Sequence, residues 1–310
     1  MIEDIVSVPL PVDETYRIQK NSITSGTGRR ICVVTGTHGD ELEGLYVCYL
    51  LAKALQGQPE LLHGTVDIYP AMNPLGIDSV SRSIPGFELD MNRTFPGSLN
   101  GDMVEYSAAR TVDDMLGADL VLDIHASNIY LTEVPQIRIN TLHRDMLMPL
   151  ALQANVDFVW VHGASTVLES TLAYSLNSRG TRCLVVEMGV GMRLTGEYGQ
   201  QLCSGILNLM KGLEMWDGPV QAVKEPVVAE EADEVEFLNA PVAGMFMKTK
   251  THGTWVSKGE TVGYIFDPLR GEVLQYINAG KSGLLFTIRE YPLVGEGALM
   301  GRILVREQRK

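Results

Sequence analysis

With 310 residues, the chain is long enough for one large domain, or a large and a small one, around a sizeable hydrophobic core. Its formal net charge of −13 argues against nucleic acid or an anionic membrane surface as a partner, because either favours a basic patch. No apolar run approaches the length of a membrane span. Met1-Ile2-Glu3-Asp4 places acids where a secretion signal needs positive charge, so the expected location is cytoplasmic. Cys32, Cys48, Cys183 and Cys203 lie far apart without C-x-x-C spacing and read as small buried hydrophobes, not disulfides or thiolate ligands.

In chain order, residues 1–30 are mixed, with a possible strand at Thr15 to Ile18 and a turn at Ser25 to Gly28. Ile31 to Val34 is an apolar, β-branched run that ends in Thr35-Gly36 and reads as a buried strand entering a tight turn. Leu42, Leu45, Tyr46, Tyr49, Leu50 and Ala52 then recur at helical spacing, which leaves His38, Asp40 and Glu41 at the carboxyl end of a strand. Ligands bind at that edge in open α/β sheets. A second strand is expected from Thr65 to Ala71, followed by an aperiodic stretch to Gly101 that contains Arg82 and Asp90-Met91-Asn92-Arg93-Thr94-Phe95-Pro96-Gly97. A loop of that length inside a compact domain points to function.

A helix from about Asp102 to Leu116 leads into the strand Ala118 to His125. Further strands are expected at Val134–Ile139, Phe158–Val161 and Thr181–Glu187, with helices at His143–Asn155, Leu168–Ser178 and Tyr198–Trp216. The alternation predicts an α/β fold with a largely parallel, doubly wound sheet over residues 1–217. An acidic, proline-containing linker over 218–235 then precedes a small all-β domain over 236–310, which has many turns and no long helical pattern.

His38 and Glu41 form H-x-x-E, which is common by chance; the joint pattern carries more. Three separate strands end in His38 with Glu41, in His125 and in Glu187. Two histidines and a glutamate are a known catalytic zinc set that leaves a coordination position open for water. Zinc polarises a carbonyl and acidifies bound water, and a carboxylate outside the ligand set must move the proton to the leaving amine. Glu187 is the candidate for that task.

The blocks T-G-T-H-G-D-E-x-E-G, N-P-L-G, D-M-N-R-T-F-P-G, D-I-H and V-V-E-M-G, in this order over roughly residues 30–215, resemble the succinylglutamate desuccinylase/aspartoacylase family of the zinc carboxypeptidase superfamily. The resemblance implies a zinc carboxypeptidase-like fold and one Zn2+ per chain on His38, Glu41 and His125. It further implies acid/base work by Glu187, a substrate carboxylate held by Asn92 and Arg93, and Asp90 orienting the first zinc histidine. Arg82 corresponds to an arginine that steadies an oxyanion, and Tyr174 and Arg179 lie where the family makes substrate contacts, although spacing differs at all three. The expected activity is removal of an acyl group from an N-acylated amino acid or similar small carboxylate. A metallocarboxypeptidase and a non-catalytic binding protein are the alternatives, and an oligomer is possible.

The segments Asn239 to Phe246 and Val256 to Glu260 resemble the barrel-sandwich hybrid of biotinyl and lipoyl carriers. Carriers present a lysine on a central hairpin. The corresponding Asp267-Pro268-Leu269-Arg270-Gly271 has none, so this segment reads as a cap over the crevice, not a swinging arm.

Overall fold

The computed structural model describes residues 1–163 and 168–308. The chain opens with an antiparallel hairpin of β1 (Ile2–Pro9) and β2 (Thr15–Ser25), more strand than the sequence indicated. On β2, Tyr16, Ile18 and Lys20 are buried and alternate with exposed Arg17 and Gln19. The Lys20 ammonium lies 3.0 Å from Asp114 and 3.3 Å from Asp67, whose carboxylate also takes Arg30 at 2.6 Å. This partly buried ion network ties the hairpin to the strands beside it.

Next come β3 (Arg30–Thr35), α1 (Glu43–Gly57) and β4 (Gly64–Tyr69), which ends before Pro70. α2 (Pro74–Ser79), a single helical turn at Met91–Arg93 and α3 (Met103–Met115) follow. The chain continues through β5 (Leu120–Ala126), β6 (Leu131–Asn140), α4 (Arg144–Ala151), β7 (Phe158–His162), α5 (Leu172–Asn177), β8 (Cys183–Gly189) and α6 (Gly196–Gly212). α4 and α5 are shorter than their periodicity predicts. Thr171 caps α5 by accepting from the Tyr174 amide, so the helix begins there and not at Leu168.

β4, β3, β5 and β8 run parallel and form the centre of the sheet. Their side chains alternate between two covered faces, as burial on both sides requires. Ile31, Val33, Leu122 and Ile124 pack with Val47, Leu51 and Leu55 of α1 and Leu202, Ile206 and Leu209 of α6. Cys32, Val34 and Val121 face the other way, onto Val104, Ala108 and Val112 of α3 and Leu172 and Leu176 of α5. The four cysteines are all buried and free.

The flanks are antiparallel: β2 pairs with β4 at one edge and β6 with β8 at the other. Inside the expected linker, β9 (Val227–Ala229) pairs parallel with β7. Beyond it lie β10 (Val235–Asn239), β11 (Gly244–Lys248), β12 (Thr254–Val256), β13 (Thr261–Asp267), β14 (Glu272–Asn278), β15 (Gly283–Arg289), β16 (Leu293–Val294) and β17 (Leu299–Val305). β14, β13, β11 and β16 form a second, antiparallel sheet. β15 pairs with β6 and carries β17 and β10 with it, so these C-terminal strands are hydrogen-bonded into the main sheet. Among the described residues, no helix is long and apolar enough to cross a membrane.

Candidate active site

Adjacent parallel strands bring the predicted residues together. Thr35 at the end of β3 is level with Ile124 on β5, and His125 on β5 is level with Glu187 on β8. Gly36 turns the chain out of β3 at φ +71°, a backbone conformation that side chains resist. Gly39 packs so closely on α2 that a Cβ there would lie 2.0 Å from the Gly76 carbonyl carbon. The turn is therefore pressed against its neighbour, and His38 and Glu41 are each only 4% exposed.

One ligand atom from each of His38, Glu41 and His125 lies within 4.8 Å of the others. His38 Nδ1 is 2.8 Å from Glu41 Oε1, and His125 Nδ1 is 3.0 Å from Glu41 Oε2. Both remaining ring nitrogens face carboxylates: His38 Nε2 lies 3.0 Å from Asp90 Oδ1, and His125 Nε2 lies 3.2 Å from Asp123 Oδ1. Burial alone would raise the Glu41 carboxyl, but hydrogen bonds from His125 and His38 outweigh it and hold the group well below the usual carboxylate range. Burial opposes charge on the two imidazoles, yet Asp90 and Glu41 raise His38, and Asp123 and Glu41 raise His125. Two imidazoles and a carboxylate that converge, each imidazole backed by an aspartate, are a donor set suited to zinc.

The other predicted residues divide. Arg82 donates through Nη1 to Glu41 Oε1 and through Nη2 to Asp90 Oδ2, both at 3.1 Å, and so braces the donor set. Asn92, Arg93 and Tyr174 line the same cavity of about 410 Å³, with Asn92 Oδ1 accepting from the Leu172 amide at 3.1 Å. Arg179 does not reach it. It is exposed just past the end of α5, and no Arg179 side chain lines the cavity.

A family model, the succinylglutamate desuccinylase/aspartoacylase catalytic domain, matches residues 27–213. The chain belongs to this family. An N-alpha-acetyl-L-2,4-diaminobutyric acid deacetylase from Halomonas elongata is 25% identical over 304 residues, spanning 93% of this chain and 86% of the relative. The product-bound structure of the ectoine utilization protein EutE (DoeB) from Ruegeria pomeroyi superposes with a TM-score of 0.85 at 20% identity, covering 98% of this chain and 95% of that one. A metallo-carboxypeptidase from Burkholderia cenocepacia shares the fold more distantly, with a TM-score of 0.53 at 15% identity over 68% of this chain and 63% of that one. The chain thus has the zinc carboxypeptidase-like fold expected of the desuccinylase/aspartoacylase family.

Among the cavity residues to which the sequence reading gave no role are two acids, Asp123 and Glu133, and two arginines, Arg138 and Arg302. Asp123 was findable, since it stands two positions before His125 and shares its face of β5. Arg138 Nη1 lies 3.3 Å from Glu187 Oε1 while its Nη2 donates to Glu133 Oε2 at 2.8 Å. Burial pushes the Glu187 carboxyl up to about 7, against the opposing pull of Arg138. Glu43, also unassigned by sequence, accepts from the Thr195 amide and hydroxyl, both at 2.7 Å, and ties the start of α1 to the loop after β8.

Proposed function

We propose that the protein is a zinc-dependent amidohydrolase that removes an acyl group from an N-acylated amino acid or a similar small carboxylate. The observation that carries this reading is the convergence of His38, Glu41 and His125 within 4.8 Å, with Glu187 level with His125 on the next strand. These three residues would hold one zinc ion per chain. When bound, zinc supplies Lewis acidity toward the amide carbonyl and toward water.

The protein's own residues do the rest. Glu187, whose carboxyl is poised near neutrality, takes a proton from the attacking water and delivers it to the leaving amine. Arg93 and Asn92 hold the substrate carboxylate, for which arginine offers a planar fork, and Tyr174 borders the same space. Arg82 braces Glu41 and Asp90 and so keeps both histidines aimed, with a guanidinium left beside the cavity to steady negative charge on oxygen. Residues 236–310 act as a cap that limits substrate size, a reading supported by Arg302 of β17 in the cavity wall.

The purified protein is expected to carry about one zinc per chain and to lose amidase activity on chelation. The decisive assay sets N-acetyl-diaminobutyrate, N-acetyl-aspartate, N-succinyl-glutamate and N-acyl aromatic amino acids beside a series of short peptides. Activity confined to N-acyl amino acids supports the proposal. Release of C-terminal residues from longer peptides would replace it with a carboxypeptidase, and full activity in metal-free protein would remove zinc from it.

A further inference from the structure

Glu133 is fully buried, and three groups serve its carboxylate. Arg138 donates to Oε2 at 2.8 Å, while Oε1 accepts from Arg302 Nη1 at 2.7 Å and from Thr287 Oγ1 at 3.1 Å. The sheet dictates this meeting. Arg302 on β17 is level with Thr287 on β15, and Thr287 is level with Glu133 on β6, so the three stand in one row across adjacent strands. Both guanidinium groups also lie over the Trp160 ring, at 5.9 Å for Arg138 and 5.7 Å for Arg302.

Charge balance gives the row a purpose. Arg138 is shared between two carboxylates, Glu133 and Glu187. A buried carboxylate left with too little positive charge draws any nearby cation toward itself. With Arg302 supplying one cation to Glu133, Arg138 can spend one arm on Glu133 and the other on Glu187. Without Arg302, both arms of Arg138 would turn to Glu133 as a two-point pair, the geometry a guanidinium favours with a carboxylate.

We propose that Arg302, reaching in from the C-terminal strand, is a positioning residue that neutralises Glu133 and thereby frees one arm of Arg138 to hold Glu187. The kinetic part of this inference rests on the amidohydrolase reading; the structural part does not. The test uses the full-length, metal-loaded protein and the variants Arg302→Met, Arg302→Lys, Glu133→Gln and the double variant Glu133→Gln/Arg302→Met. In crystals of Arg302→Met, Arg138 Nη1 should leave Glu187 and pair with Glu133. The single variant should lose about 10²-fold in kcat, the order expected when a reacting group is displaced by an ångström, with KM changed less than about threefold. Arg302→Lys should restore most of the loss, because one ammonium can serve the single contact to Glu133.

The double variant discriminates most sharply, because removing the Glu133 charge should return Arg138 to Glu187 and raise kcat above that of Arg302→Met alone. A merely structural role predicts the opposite order, with the second substitution adding damage. An Arg138–Glu187 contact that persists in Arg302→Met crystals would overturn the inference even if no N-acyl amino acid proves to be a substrate. So would a raised KM with unchanged kcat, which would make Arg302 a direct substrate contact. If wild type hydrolyses none of the N-acyl amino acids, the amidohydrolase reading fails, and the crystals still decide the network.

Discussion

Replacing Asp123 should weaken metal binding more than it weakens the fold. The side chain is 1% exposed on β5, with β3 and β8 on either side, and its Oδ1 is 3.2 Å from His125 Nε2. Two full charges at that separation interact by about 5 kcal/mol at an effective dielectric constant of ~20. With a metal bound, the imidazole would carry only part of a charge on its far side, so the aspartate would contribute a fraction of that figure. A loss of about 10–100-fold in affinity is expected for Asp123→Ala, as for other groups that orient metal-bound histidines, equivalent to ~1.4–2.8 kcal/mol. Asp123→Asn keeps the shape and an acceptor oxygen but not the charge, and should fall near the tenfold end. The assay is zinc titration of metal-free protein against a chelator of known affinity, with circular dichroism and Tm to verify folding. Affinity for Asp123→Ala within threefold of wild type, in a folded protein, would show that Asp123 does not support His125.

Three further outcomes follow from the site. Glu187→Gln should keep its metal while kcat falls by roughly 10²–10⁴-fold, the usual share of a general acid/base, and a metal-loaded variant with wild-type turnover would assign that role elsewhere. Arg93→Ala should raise KM for substrates bearing a carboxylate and leave neutral amide analogues nearly unaffected; an equal loss on both classes would argue against a carboxylate clamp. Arg179→Ala should change kcat/KM by less than about twofold and stability by less than ~0.5 kcal/mol, as for an exposed side chain away from the site, and a larger kinetic loss would return Arg179 to the substrate contacts.

The central sheet and the meeting of His38, Glu41 and His125 were legible because His38 and Glu41 lie just past β3 and His125 near the end of β5, both largely apolar strands, and burial on both faces leaves few other ways to read such runs. What lay outside the strand alphabet was lost. β1 is an edge strand with mixed polarity, and β9 is three residues inside an acidic, proline-containing stretch. Arg179 was named from the family's substrate-contact region although its spacing differs, and resemblance of region says nothing of direction: the helix ends at Asn177 with Arg179 beyond it in solvent, outside the cavity lining. Glu133 and Arg138 show the deeper obstacle. Five positions apart on a regular strand, they would point to opposite faces. Between Glu133 and Gln136, however, β6 spends one residue more than β8, and this bulge reverses the parity of everything after it. Both side chains therefore reach the same cavity, where Arg302 meets them only because β15 and β17 extend the sheet from β6. The support for Glu187 is thus built from a bulge and a long-range strand pairing, and neither leaves a local trace in the sequence.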